Sequence, residues 1–146
     1  MKKIYLAHPI SLNSADDVFN YYDNMVNELN DKYDVLSPMY GKDYLRTEKN
    51  LRAGGYENRP ISCNHAIFER DTWMVSQCDM LLCDFSDAKV TSIGCTMELA
   101  IASWLRKHTI VVMTEDNIHN HAFIREAADI IFDNMDDALV YIKGLA

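Results

Sequence analysis

The stretch Asp79-Met80-Leu81-Leu82-Cys83-Asp84-Phe85, followed closely by Ser92-Ile93-Gly94-Cys95-Thr96-Met97-Glu98-Leu99 and then by Thr109-Ile110-Val111-Val112-Met113, decides the fold. The first and last segments are short apolar runs, which fit strands covered on both faces. Between them, Ile93 to Leu105 is long enough for a helix and apolar on every side, which reads as a buried helix. A strand, a covering helix and a second strand make a right-handed crossover in a parallel sheet.

The same rhythm extends outward along the chain. Strand-like runs stand at Ile4–Ala7, Asp34–Leu36, Asp79–Phe85, Thr109–Met113 and Asp129–Phe132. Helical patterns fill the intervals from Ala15 to about Lys32, His65 to Cys78, Gly94 to Arg106 and His121 to Ala128. A last helix runs from Asn134 to Lys143, with Gly144 as its stop signal. The expected fold class is therefore α/β, a three-layer sandwich on a five-stranded parallel sheet, flavodoxin-like or more broadly Rossmann-like. Such folds bind ligands beyond the carboxyl ends of their strands, here between strands one and three.

One segment breaks the rhythm. Met39 to Asn64 shows no clear element and carries five Lys/Arg against three Asp/Glu, the reverse of the chain as a whole, together with Tyr40, Tyr44 and Tyr56. Connections longer than about 12–15 residues are uncommon in compact domains unless they bind something or move. A basic, aromatic lid over an anionic, ring-bearing ligand is one reading; a subunit contact or a plain insertion is the other.

The 146 residues suit a single domain, residues 1–146, with a genuine core. A net charge of −8 argues against a nucleic-acid partner, whose phosphates require a basic face. It still permits one small anion at a helix N-terminus. Cys63, Cys78, Cys83 and Cys95 form no Cys-x-x-Cys pair and have no histidine at zinc spacing, so no metal site is expected. The three later cysteines read as buried, reduced thiols. With Lys2-Lys3 leading straight into a strand and no apolar run near 18 residues, the expectation is a soluble, cytoplasmic protein without a membrane partner.

Against this background Glu98 is the residue to explain. A carboxylate in an apolar helix costs free energy unless something pairs with it or uses it. A Ser92-x-Gly94 turn of the kind that accepts phosphate stands directly before it. The blander possibility is an exposed first-turn acid favoured by the helix dipole. Asp71 shares a face with Ile67, Met74 and Cys78 and interrupts an apolar stripe. It is either a cap on a later-starting helix or a second carboxyl brought near Glu98. Asp84 leaves strand three at the ligand-binding edge, and His8 leaves strand one there. Asp79 reads as a polar strand boundary. His119-Asn120-His121 spells HNH, but the nuclease of that name spreads those residues over a metal scaffold, so the tripeptide carries nothing. Neither a G-x-G-x-x-G nor a P-loop pattern occurs.

Taken together, Ile4-Tyr5-Leu6-Ala7, Arg70-Asp71-Thr72-Trp73, Asp79 and Ser92-x-Gly94-x-x-x-Glu98-Leu99 form a linked set. The set resembles the nucleoside 2-deoxyribosyltransferase superfamily, and within it the 2′-deoxynucleoside 5′-monophosphate N-hydrolases. The resemblance runs from the first strand to Ala122-Phe123-Ile124-Arg125, except for the 39–64 insertion. It implies that Glu98 is the nucleophile on the anomeric carbon, that Tyr5 hydrogen-bonds it, and that Asp71 assists departure of the base. Ser92 stands where the free-nucleoside transferases carry Asp and the 5′-monophosphate enzymes carry Ser. The resemblance therefore implies that Ser92 and the Gly94 amide bind phosphate. His121 stands where those enzymes place a serine lent by a neighbouring subunit, and His8-Pro9 replaces small residues after the first strand. A homo-oligomer with shared sites is implied, and no cofactor.

The chemistry is intelligible from the residue types. Breaking an N-glycosidic bond passes through an oxocarbenium-like state, which an anionic carboxylate stabilises and can trap as an ester. The ester then passes to water or to another base. The expected activity is thus N-glycosidic cleavage of a nucleoside 5′-monophosphate or nucleoside, by hydrolysis or base transfer. From another class, a non-catalytic nucleotide sensor on the same fold would bind without releasing base. A phosphoacceptor domain of the receiver type lacks its acidic pair after strand one and its late lysine.

Overall fold

A computed structural model describes residues 1–146. Five parallel strands, β1 (Lys3–Ala7), β2 (Asp34–Leu36), β3 (Met80–Asp84), β4 (His108–Val112) and β5 (Ile130–Phe132), lie in the order β2-β1-β3-β4-β5. Helices α1 (Ala15–Leu29), α2 (Asn64–Gln77), α3 (Ile93–Trp104), α4 (Ala122–Ala127) and α5 (Met135–Gly144) connect or follow them. No helix is long and apolar enough to cross a membrane.

Side chains alternate across each strand, and this splits the core in two. Ile4, Leu6, Met80, Leu82, Ile110 and Val112 face a layer made by α1 and α5. Tyr5, Ala7, Leu81, Cys83 and Val111 face the layer of α2, α3 and α4. The registers Tyr5–Leu81 and Leu81–Thr109 keep these sets aligned. A one-residue slip would exchange the faces and turn Tyr5 away from α3.

Local sequence fixes the helix starts. Ser14 caps α1 by accepting from the Asp17 amide at 3.1 Å, and Asn134 caps α5 through the Asp137 amide at 2.9 Å. Ser92 caps α3 more loosely, accepting from the Cys95 amide at 3.4 Å. Each such cap contributes about 1 kcal/mol. Asp79 accepts from the Lys3 amide at 2.7 Å, as a polar boundary residue should.

Three local expectations need correction. α3 is not sunk in the core: it buries Cys95, Leu99 and Ala102, while Ile93 is 71% and Trp104 87% exposed. All-round apolarity reads the same whether a helix is covered by its own chain or presents a bare apolar face. Asp71 does not cap α2, because that helix starts at Asn64 and Asp71 lies two turns inside it. Glu98 lies in the second turn of α3 rather than the first, beyond the strongest reach of the helix dipole.

The 39–64 segment is more ordered than its sequence suggests. A 3-10 turn at Asp43–Leu45 and the buried side chains of Met39, Leu45 and Leu51 tie it to the α1-side core. From α2, Arg70 donates to the carbonyls of Tyr40 at 2.7 Å and Pro38 at 3.5 Å, fixing where the segment begins. Arg52 stacks over Tyr56 and Arg59 over Tyr44, so its basic and aromatic residues largely satisfy one another.

Candidate active site

A cavity of about 340 Å³ opens where the chain leaves β1 and enters α3. It is lined by the apolar side chains of Ile10, Ile67, Phe68, Ile93, Met97 and Ile101 and by the polar residues His8, Asp71, Ser92, Gly94 and Glu98. Apolar walls with a few convergent polar groups are the usual make-up of a small-molecule site.

Glu98 reaches the cavity from α3 and is only partly accessible. The Tyr5 hydroxyl, at zero exposure on β1, donates to Glu98 Oε1 at 2.8 Å. Burial pushes the Glu98 carboxyl well above its ordinary value, Cys95 adds to this, and the Tyr5 hydrogen bond opposes it. Any helix-dipole support for an ionised Glu98 is thus outweighed by desolvation. The anion is held by a single phenolic donor and sits high in free energy until something cationic arrives.

Asp71 is nearly buried on α2, and its Oδ1 has no hydrogen-bond partner. Burial raises its carboxyl to about 6, against the pull of Lys42 and Arg70. An orphaned buried oxygen on a cavity wall is what a ligand donor or acceptor would complete. Two carboxyls lining one cavity repel when both are ionised, which favours one proton between them.

The Ser92-Ile93-Gly94 turn forms the cavity's polar end. The Ile93 and Gly94 amides have no acceptor in the chain. A side chain added at Gly94 would meet nothing within 4 Å, so glycine leaves open space over its amide rather than relieving a clash. Backbone donors at a helix N-terminus beside an open volume suit an anion.

The remaining expected residues divide. His8 lines the cavity, stacked on Tyr21 at 3.6 Å between centroids. Its Nδ1 is unpartnered, with Asp84 Oδ2 3.8 Å away, and burial lowers its pKa despite Asp84. Asp84 itself does not line the cavity; it is buried behind His8 and accepts from the Ser86 amide at 2.9 Å. His121 is not brought there either. It is exposed and caps α4, its Nδ1 accepting from the Phe123 amide at 3.1 Å.

Three residues at or near the site escaped sequence reasoning. Lys42 is 3% exposed, its pKa lowered by burial although Asp71 and Glu98 both favour its charge. The only signal was the basic bias of its segment, which does not single out one lysine. Tyr22 lines the cavity and clasps both the amide and the carbonyl of His8 at 3.2 Å, but reads in sequence as an ordinary core aromatic of α1. His119 contacts Ser92 from a distant loop.

A search of the curated proteins finds no match. Among solved structures, a 2-desoxiribosyltransferase from Leishmania mexicana is similar with a TM-score of 0.66 and 20% identity, covering 99% of this chain and 98% of that one. A CMP N-glycosidase from Clostridium botulinum is similar with a TM-score of 0.57 and 14% identity, covering 97% and 98%. At these identities the likeness speaks for the fold. The sequence itself matches the family model described as nucleoside 2-deoxyribosyltransferase over residues 4–138, a span that includes Tyr5, Asp71, Ser92 and Glu98. The chain belongs to the nucleoside 2-deoxyribosyltransferase family.

Proposed function

We propose that the protein cleaves the N-glycosidic bond of a nucleoside 5′-monophosphate or nucleoside through a covalent sugar–Glu98 intermediate. The observation that carries this reading is that Glu98, held by the Tyr5 hydroxyl, lines one cavity together with Asp71, whose Oδ1 has no partner. Family membership supports the reaction class, and a CMP N-glycosidase among the structural neighbours is compatible with a phosphorylated substrate.

In the proposed first step the Glu98 carboxylate attacks the anomeric carbon. The bond to the base nitrogen breaks, its electron pair leaves with the base, and the Asp71 proton neutralises the departing group. Positive charge developing on the sugar gives the strained Glu98 anion the counter-charge it lacks. Tyr5 holds that carboxylate in place and releases it as the ester forms. In the second step water or another base attacks the same carbon, the ester breaks, and Asp71 takes up a proton from the attacking group. The Ser92-x-Gly94 turn would seat a 5′-phosphate, and the apolar wall of Ile67 and Phe68 would lie against the base.

The working form is proposed to be a homo-oligomer. Ile93, Met97 and Trp104 make an exposed apolar stripe on α3, and Phe123 on α4 is 80% exposed beside it. Apolar patches of this kind mark interaction surfaces. A second copy docked there would cover the stripe and could carry its His121 towards the first copy's site.

Incubation with a panel of ribo- and deoxyribonucleosides and their 5′-monophosphates, followed by chromatography of free base, tests the reading. Base should appear with at least one substrate, and a sugar adduct should be detectable on Glu98 by mass spectrometry. Binding without any base release would instead identify a nucleotide sensor.

A further inference from the structure

His119 is used by none of these steps, yet it is 2% exposed and tightly held. Its ring stacks on Phe85 at 3.9 Å between centroids and 13° between planes. Its Nε2 lies 2.8 Å from the Ser92 amide nitrogen. An amide can only donate, so Nε2 carries no hydrogen and the ring proton sits on Nδ1, which faces Asn117 Oδ1 at 3.2 Å. Asn117 is fixed in turn: its Oδ1 accepts from the His119 amide at 2.9 Å and its Nδ2 donates to the Phe85 carbonyl at 2.8 Å. A chain of hydrogen bonds thus runs from the exit of β3, through the loop after β4, to the residue that caps α3.

We propose that His119 is a positioning residue: by accepting the Ser92 amide hydrogen, it holds the α3 entry turn so that the free Ile93 and Gly94 amides face the anionic end of the substrate. The proposal rests on the reading that an anionic group binds at that turn. Two observations beyond the helix end support an occupant there: the cavity adjoins it, and Asp71, which lines the same cavity, has a buried Oδ1 without a partner. A protonated His119 would set an N–H against the Ser92 N–H, and the turn would have to open. The groups packed on the ring, Phe85, Asn117 and Ser92, carry no charge that could offset this, and burial already disfavours the charged ring. His119 therefore makes the seat dependent on a neutral imidazole.

The test compares His119→Phe, which keeps the stack but removes the acceptor, with His119→Gln, whose side-chain oxygen can still accept. Binding of dCMP, dGMP and the matching nucleosides is measured by calorimetry, alongside base-release kinetics. His119→Phe should weaken monophosphate binding about ten-fold, the worth of one well-placed hydrogen bond, while nucleoside binding changes less than about three-fold. His119→Gln should restore most of the loss. Between pH 8 and 5.5 monophosphate affinity should fall more steeply for the native protein than for His119→Gln, the substrate's own titration being common to both. Unchanged binding in His119→Phe, equal loss for both ligand types, or a Gln variant no better than Phe would each overturn the proposal. If His119→Phe does not fold, the pH comparison decides alone, and equal slopes overturn it. Should the native protein bind monophosphates yet release no base, the catalytic reading falls while the His119 comparison still stands on binding. Should it bind none, the seat and this role fall together.

Discussion

The Tyr5 hydroxyl donates to Glu98 Oε1 across 2.8 Å, joining the interior strand β1 to the second turn of α3. Both groups are held where burial disfavours a bare charge, and the pKa of each is raised, chiefly by desolvation. Tyr5→Phe removes the one side-chain donor to the carboxylate. Initial-rate assays of base release should fall by about 10- to 150-fold, the value of a hydrogen bond to a charged group. Glu98→Gln should remove roughly 10³-fold or more, about 4 kcal/mol, and abolish the covalent adduct. Near-native rates in Glu98→Gln would exclude the carboxylate from the chemistry.

Asp71 gives a pH dependence of stability with a defined sign. Its carboxyl titrates near 3.9 in an unfolded chain and at about 6 in the native one, so the native state binds the proton more tightly. Its contribution to stability is full below pH 4, lost as pH rises through about 6, and flat above. The unfolding free energy of Asp71→Asn, minus that of the native protein, should therefore increase by about 2–3 kcal/mol between pH 4 and pH 8. Urea titrations across that range measure it, and a constant difference would show that Asp71 is not desolvated as described.

The same titration governs the proposed acid role. Base release should decline as pH rises through about 6, where Asp71 loses its proton. In Asp71→Asn the rate should be lower by about 10²–10⁴-fold and lose this limb. A substrate whose leaving group needs no proton, such as a nitrophenyl deoxyriboside, should depend on Asp71 far less. Equal sensitivity of both substrates would argue for a structural role instead.

Gly94 separates folding from binding. Because a methyl group there meets nothing, Gly94→Ala should leave the melting temperature unchanged or slightly raised. It should raise KM for a 5′-monophosphate on the order of ten-fold, about 1.4 kcal/mol, by intruding on the space above the amide. Unaltered KM would move the anionic group away from this turn.

The exposed stripe on α3 and α4 predicts an assembly. Trp104→Asp, at a position 87% exposed, should leave the monomer folded but shift sedimentation to the single-chain mass. If His121 completes a neighbouring site, activity should fall with the shift. A native protein that sediments as a monomer at micromolar concentration would remove the shared-site proposal.

What the sequence conveyed depended on whether the signal was periodic. The apolar runs at Met80–Cys83 and Ile110–Met113 fix their strands, and alternation with helices leads to the observed strand order. Glu98 and Asp71 stood out because each interrupts an apolar pattern. Whether Asp71 capped its helix could not be read, since that turns on where α2 starts. The exposed face of α3 was equally hidden, because hydrophobicity records that a surface avoids water but not what covers it. The basic bias around Lys42 and the HNH spelling at His119 did not disclose either role, because their meaning lies in tertiary pairing. His119 meets Ser92 across 27 residues, and no spacing rule connects them.

The division of the cavity between its two sources has an evolutionary consequence. The carboxylate and tyrosine proposed to act, Glu98 and Tyr5, come from α3 and β1, where a shift in register would cost the whole core. Other lining residues, Pro38, Ala53 and Asn64, come from the β2–α2 connection and its junction with α2. Under the proposed function, a new substrate preference would be acquired by redesigning or grafting that one connection, leaving the Tyr5–Glu98 pair as it stands.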